Sequence, residues 1–270
     1  MVEEEKDSSR ESSMEDEEHQ EVLLGRETFL ETFDATAYLK DFYEKIEDPA
    51  MQLVFNFLPN IVARLPKGGR LLDFGCGPTI HVSLCFRQAV NEIYLADYLP
   101  QNRAHLIDWV KGESKFDWFP VKKAIAFCEG TTGTEEALAK MELETRRKVR
   151  NVAHCDIHQR NALPGLPLSF DGFEVVVTIY CVEYTCKTLE EYQEAIRNVV
   201  GLVKPGGYFI LGGILEETWC AFGGKKFNCL YTSEEFVMEA VRNAGIEVDD
   251  PTKSMYFMVN GIFLLCGQKG

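Results

Sequence analysis

The stretch Leu71-Leu72-Asp73-Phe74-Gly75-Cys76-Gly77-Pro78-Thr79, followed by Asp97, constrains the fold of this 270-residue chain more than any other feature. Leu71–Phe74 predicts a buried strand. Gly75 and Gly77 let the backbone turn sharply and approach a ligand with no Cβ in the way. A helix expected from about Thr79 aims free N–H groups into that turn. A second apolar run, Ile93-Tyr94-Leu95-Ala96, ends at Asp97. In doubly wound folds, an acidic residue about 20 positions beyond the turn accepts hydrogen bonds from ribose hydroxyls. The first two strands therefore predict half of a nucleoside-binding site.

The turn also discriminates between nucleosides. A dinucleotide turn reads G-x-G-x-x-G/A, its third small residue letting helix and strand pack closely. Here that position is Ile80, and Pro78 removes an amide donor that a pyrophosphate would use. Both disfavour a nicotinamide dinucleotide oxidoreductase. A carboxylate at the strand end, Asp73, suits a cation better than a diphosphate. S-adenosylmethionine has no phosphate, carries a sulfonium and presents an adenosine to Asp97.

Net charge is −15, and residues 1–21 hold ten acidic and two basic side chains, about half of the excess. Such a Glu/Ser-rich segment lacks the apolar residues needed to bury a core, which predicts a disordered acidic tail over 1–26. The remainder, 27–270, predicts one domain with a helical cap over 27–66; the apolar fraction of 46% suffices for a sizeable core. An acidic chain without a basic stripe is a poor partner for nucleic acid. No apolar run approaches a membrane span, and no signal peptide is evident. Nine cysteines without a C-x-x-C pair, several inside apolar runs (Cys128, Cys155, Cys181, Cys266), predict buried thiols in a reducing, cytoplasmic setting. His154, Cys155, Asp156 and His158 carry metal-ligating atoms. Adjacent Cys155 and Asp156 point to opposite faces of a strand, so no metal is expected.

The periodicity alternates strands with helices. Asp48-Pro49 starts a helix that runs to about Leu65, where Pro66-Lys67-Gly68-Gly69 breaks it. A strand at Arg70–Phe74, a helix to about Ala89, the strand ending at Asp97 and a helix from Pro100 to Lys111 follow. Helices are predicted over 116–129 and 134–150, and strands at Val152–Asp156 and Asp171–Tyr180. Tyr192, Ala195, Ile196, Val199 and Val203 form one apolar stripe of a helix over 189–203. Lys204-Pro205-Gly206-Gly207 ends it, and Tyr208–Leu211 is a strand. A loop over 212–231 leads to a helix at Ser233–Ala244. Met255–Val259 and Ile262–Cys266 form a hairpin about Asn260-Gly261. The pattern is an α/β, doubly wound, mostly parallel sheet with an antiparallel edge hairpin, whose ligands bind beyond the carboxyl ends of the strands.

Several motifs together resemble the small-molecule N-methyltransferases acting on nicotinamide, phenylethanolamine and indolethylamine, across about 29–269. They are Tyr38-Leu39 with Tyr43, Leu72–Ile80 with its Gly-Pro-Thr, Asp97-Tyr98 with Gln101-Asn102, and Phe116-Asp117-Trp118. Cys155-Asp156-Ile157 and Leu202–Gly207 complete the set, and Leu215–Trp219 is similar to the phenylethanolamine branch. The resemblance implies a seven-stranded, Rossmann-like class I methyltransferase fold with an N-terminal helical cover, S-adenosyl-L-methionine as cofactor, a small amine or pyridine as substrate, and a monomer. Tyr38 and Tyr43 would cover the methionine end of the cofactor; Gly75, Gly77 and Thr79 would form its turn. Asp97 and Asn102 would contact ribose and methionine, and Asp156 and Ile157 the adenine. Thr178 or its neighbour would lie beside the methyl group, and Glu183 and Glu216 would hold a substrate amine. Three departures accompany this: His81 replaces a frequent tyrosine, Gly213 stands where the nicotinamide type has a carboxylate, and the final hairpin lacks an acid used by the phenylethanolamine type.

Methyl transfer from sulfonium to nitrogen is an in-line displacement, chiefly positioning catalysis, with the nitrogen held about 3 Å from the methyl carbon. A protonated alkylamine cannot attack, so a carboxylate must bind the ammonium and help remove its proton. A pyridine needs no base. Loss of Glu216 is therefore expected to harm an arylalkylamine more than nicotinamide. A non-catalytic cofactor-binding protein with a working acidic tail is the alternative that binding and turnover assays separate.

Overall fold

The computed structural model describes residues 22–167 and 169–270. Most of the tail expected over 1–26 lies outside the described residues. Its end is ordered: Leu23–Leu24 (β1) pairs in parallel with Lys226 and Phe227. A 3-10 turn, Arg26–Thr28, and a short helix, Phe29–Thr32 (α1), lead to Ala35–Tyr43 (α2). Pro49–Arg64 (α3) begins where the sequence places it. Asp48 Oδ1 accepts from the N–H groups of Ala50 (2.8 Å) and Met51 (3.1 Å), and Pro49 fills the first turn.

The central elements are Arg70–Phe74 (β2), His81–Phe86 (α4), Glu92–Asp97 (β3), Pro100–Lys111 (α5), Phe119–Cys128 (α6), Glu135–Lys148 (α7), Val149–His154 (β4) and Phe173–Ile179 (β5). Val182–Thr185 (α8), Leu189–Val200 (α9), Val203–Ile214 (β6), Trp219–Phe222 (β7), Lys225–Asn228 (β8), Glu234–Asn243 (α10), Ser254–Val259 (β9) and Ile262–Gln268 (β10) complete the chain. The seven-stranded sheet has the order β4-β3-β2-β5-β6-β10-β9. The first five strands run parallel; β10 runs antiparallel to both β6 and β9. Alternation along each strand splits the core. Leu71, Ile93, Leu95, Val175 and Val177 pack on one face with α3, α4 and α6. Leu72, Phe74, Ala96, Val176 and Phe209 pack on the other with α9 and α10. Chain order reverses between β2 and β5, and a crevice opens at their carboxyl ends. Among the described residues no helix is long and apolar enough to cross a membrane.

Boundaries differ from the expectations for local reasons. α4 starts at His81, not Thr79, because Thr79 Oγ1 donates to Cys76 O (2.7 Å) and holds the turn open. Strand β4 starts at Val149, earlier than expected, because Val149 pairs with Ile93 across a bulge. The expected break Lys204-Pro205-Gly206-Gly207 lies inside β6 as an irregularity opposite Phe173–Val175. The expected loop over 212–231 contains the hairpin β7–β8, turned at Gly223 (φ 58°) and Gly224 (φ 70°). Asn260 (φ 51°) and Gly261 (φ 79°) turn the edge hairpin as predicted. Cys155 and Cys266 are buried, whereas Cys128 and Cys181 are half-buried rather than buried.

Candidate active site

A cavity of about 570 Å³ lies beyond the carboxyl ends of β2, β3 and β5. One end is built from the backbone turn after β2. Gly75 (φ 66°) admits no side chain, because a Cβ there would overlap Cys181 Sγ. At Gly77 (φ 60°) a Cβ would meet nothing nearer than Thr79 Cγ2 at 3.9 Å. Its glycine is required by conformation, and its bare face is left to the cavity. Asp97, 6% exposed, accepts from Gly77 N–H (2.8 Å), Leu99 N–H (2.8 Å) and Asn102 Nδ2 (3.0 Å). Burial raises its carboxyl above the usual range while those donors pull it back. Asp156 Oδ1 accepts from His158 N–H (3.0 Å), and buried Ile157 lines the cavity beside it.

Asp73 is 2% exposed, and its Oδ2 has no hydrogen-bond partner among the described residues. Burial and the charge of Asp97 push its carboxyl well above the usual range. A cation placed beside it would restore the ionised form.

The other end is aromatic. Phe33, Tyr38, Phe42, Phe222 and Phe227 line it, with Phe222 and Phe227 stacked at 4.3 Å and Phe33 edge-on to Phe222 at 5.1 Å. Tyr38 and Tyr43 lie with ring centroids 6.0 Å apart, and burial raises both phenols. Tyr180 holds a left-handed backbone conformation (φ 51°), and its hydroxyl donates to Ala50 O (2.9 Å), tying β5 to α3. Strain of this kind, of order 1–3 kcal/mol, persists where surrounding contacts over-determine it. Glu183, 2% exposed, does not itself line the cavity; it stands behind the lining residues Tyr184 and Ile214. Its Oε1 accepts from Ile214 N–H (3.3 Å) and lies 3.2 Å from where a Cβ on Gly213 would stand. Burial pushes its carboxyl up to about 7.

Of the residues singled out from the sequence, Tyr38, Tyr43, Gly75, Gly77, Thr79, Asp97, Asn102, Asp156 and Ile157 meet around this one cavity. Thr178 is fully buried beneath the turn, its Oγ1 4.0 Å from where a Cβ on Gly75 would stand. Its neighbours Ile179 and Tyr180 are the residues that reach the cavity. Glu216 is not brought there. It is exposed, with φ 59°, on the bend after β6, and its N–H donates to Thr232 O (2.9 Å), which turns the segment outward.

Other lining residues went unnoticed in the sequence. Arg26 donates to Thr185 O (2.7 Å), contacts His158 Nε2 and pairs with Glu191 (3.3 Å), strapping the N-terminal segment across the opening. Phe222 and Phe227 escaped because their hairpin escaped; the adjacent glycines Gly223-Gly224 were its available signal.

The NNMT/PNMT/TEMT family profile matches residues 20–270. Nicotinamide N-methyltransferase of Caenorhabditis elegans is 36% identical over 246 residues, covering 88% of this chain and 89% of that protein. Phenylethanolamine N-methyltransferase of Macaca mulatta is 31% identical over 215 residues, covering 75% and 74%. Among solved structures, an S-adenosylmethionine-dependent methyltransferase from Clostridium acetobutylicum superposes with a TM-score of 0.54 at 11% identity, over 87% of this chain and 98% of that one. At that identity the likeness is one of fold.

Proposed function

The chain belongs to the NNMT/PNMT/TEMT family, and from that premise we propose that it methylates the nitrogen of a small amine or pyridine, using S-adenosylmethionine. The observation that carries this reading is the pairing, in one cavity, of a glycine turn closed by Asp97 with an aromatic chamber lined by Tyr38, Phe222 and Phe227. In this reading Asp97 takes the ribose hydroxyls, Asp156 and Ile157 border the adenine, and Gly75, Gly77 and Thr79 shape the turn. Asn102, Tyr38 and Tyr43 border the methionine portion.

The cofactor supplies an electrophilic methyl group on a cationic sulfur. The protein holds the acceptor nitrogen in line with the carbon–sulfur bond. When bound, the cofactor would give up its methyl group to that nitrogen, keep the carbon–sulfur electron pair on sulfur and leave as S-adenosylhomocysteine. Aromatic faces tolerate the cationic charge as it moves from sulfur to nitrogen. For an alkylamine, a proton must leave the ammonium first. We assign that proton to Glu183, whose Oε1 is held by the N–H of the lining residue Ile214 and whose carboxyl burial pushes up to about 7. The carboxyl that Gly213 cannot supply from β6 is replaced in space by that of Glu183 from α8. Glu216, exposed and outside the cavity, has no part in this reading.

A panel of arylalkylamines, nicotinamide and related pyridines, read by S-adenosylhomocysteine formation, tests the proposal. Turnover confined to one acceptor class identifies that class. Cofactor binding without turnover on any acceptor would leave a non-catalytic binding protein and overturn the enzymatic reading.

A further inference from the structure

The cavity is lined by more acidic than basic side chains, and their charges are not balanced alike. Asp73, Asp97 and Asp156 lie at the end of the glycine turn. Glu27 pairs with Lys187 (2.9 Å), and Arg26 with Glu191 (3.3 Å). Asp48 is the carboxylate left over. It is half-buried and lines the cavity, and among the described residues no cation pairs with it.

Its place follows from α3. Oδ1 is occupied by the helix cap, accepting from the N–H groups of Ala50 and Met51, which leaves Oδ2 for a ligand. Ala50 O in turn receives the Tyr180 hydroxyl (2.9 Å), so the carboxylate and that phenol flank one residue. Ala50 and Met51 line the cavity as well. Burial, joined by the negative charge of Asp48, raises the phenols of both Tyr38 and Tyr180. The carboxylate thus shares its space with the aromatic end of the cavity.

No other unpaired carboxylate reaches that end. Gly213 has no side chain, Glu183 stands behind Tyr184 and Ile214, Glu216 is turned outward, and the edge hairpin β9–β10 carries no acid. A neutral aromatic acceptor needs no counter-ion in such a chamber. An ammonium does, because ring faces compensate only in part for the water it leaves. A carboxylate oxygen without a partner supplies the stronger, charge-assisted hydrogen bond.

The inference rests on the methyl-transfer reading above and adds a residue that discriminates between its acceptors. We propose that Asp48 is the counter-ion of an amine acceptor, pairing through its free oxygen with the ammonium of an arylalkylamine, a contact that a neutral pyridine does not make. Asp48 binds and orients, and no bond is made or broken at it. An amine held there through one N–H keeps another proton to give to Glu183. Cap and counter-ion are separable, because asparagine caps a helix as well as aspartate does and carries no charge.

Asp48→Asn on the whole chain tests this, with steady-state kinetics on an arylalkylamine and on nicotinamide, calorimetric titration with S-adenosylhomocysteine, and thermal unfolding. An acceptor that is not turned over is read as a competitor. The amine KM is expected to rise about tenfold and the nicotinamide KM less than about twofold. S-adenosylhomocysteine affinity and unfolding temperature are expected to stay native. Equal rises for both acceptors, as a packing role would give, overturn the proposal, and so does an unchanged amine KM. A matching loss of S-adenosylhomocysteine affinity also overturns it, by moving Asp48 to the cofactor. So does a native chain that methylates nicotinamide and binds no arylalkylamine. Turnover of neither acceptor by the native chain would instead overturn the methyl-transfer reading, and this inference with it.

Discussion

The two ends of the cavity are made of different material. The end proposed for the nucleoside is backbone: a turn between β2 and α4, glycines at φ 66° and 60°, and a carboxylate held by two main-chain amides and a neighbouring asparagine. Its parts come from adjacent strands in register, Phe74 opposite Ala96. The acceptor end is side chain. Phe33, Tyr180, Tyr184, Ile214, Phe222 and Phe227 reach it from segments far apart in the chain. A backbone site admits few substitutions and holds one kind of ligand. A side-chain chamber is reshaped one residue at a time, and the proposed function places substrate choice there.

Changes at the nucleoside end should be large and indifferent to the acceptor. Asp97→Ala is expected to weaken S-adenosylhomocysteine by about 100-fold or more, since the ribose contacts proposed for it would be lost and the Gly77 amide freed. Calorimetry finding near-native affinity would break the division at its root. Changes at the acceptor end should depend on the acceptor. Glu183→Gln is expected to slow methylation of an arylalkylamine about 100-fold and of nicotinamide less than about threefold. The native rate on the amine should rise with pH through about 7, as the raised Glu183 carboxyl ionises and becomes able to take the proton. With nicotinamide no such limb is expected, and identical profiles for both acceptors would remove Glu183 from the chemistry. Phe222→Ala removes a ring stacked on Phe227 and edge-on to Tyr38. It should raise the acceptor KM about tenfold and lower unfolding stability by about 3 kcal/mol. Cofactor affinity falling as far as acceptor affinity would show that the two ends are one. Glu216→Gln should change either rate less than about twofold, given its exposure. A selective tenfold loss on the amine would return it to the site.

The cofactor turn was legible because its determinants are local. Gly75, Gly77 and Asp97 are tied by strand–turn–strand spacing, and Asp48-Pro49 writes its own cap. The acceptor end was legible only in part. Glu183 and Glu216 both follow sheet strands, and from sequence they were equivalent. The structure separates them: one is folded under Gly213 on α8, the other turned outward on a left-handed bend. The hairpin β7–β8 was missed because its short strands pair with each other and with β1, outside the main sheet.

By itself the sequence determined the order of the main-sheet strands and of the longer helices between them, the hairpin at Asn260-Gly261 and the glycine crook after β2. These follow from conformational preferences and periodicities within short windows of chain. Only the tertiary structure decided which acid lies behind the chamber, which aromatic rings enclose it and which buried polar atoms were left unpaired. Those depend on contacts between distant segments, where burial and register, not neighbouring residues, set what each side chain meets.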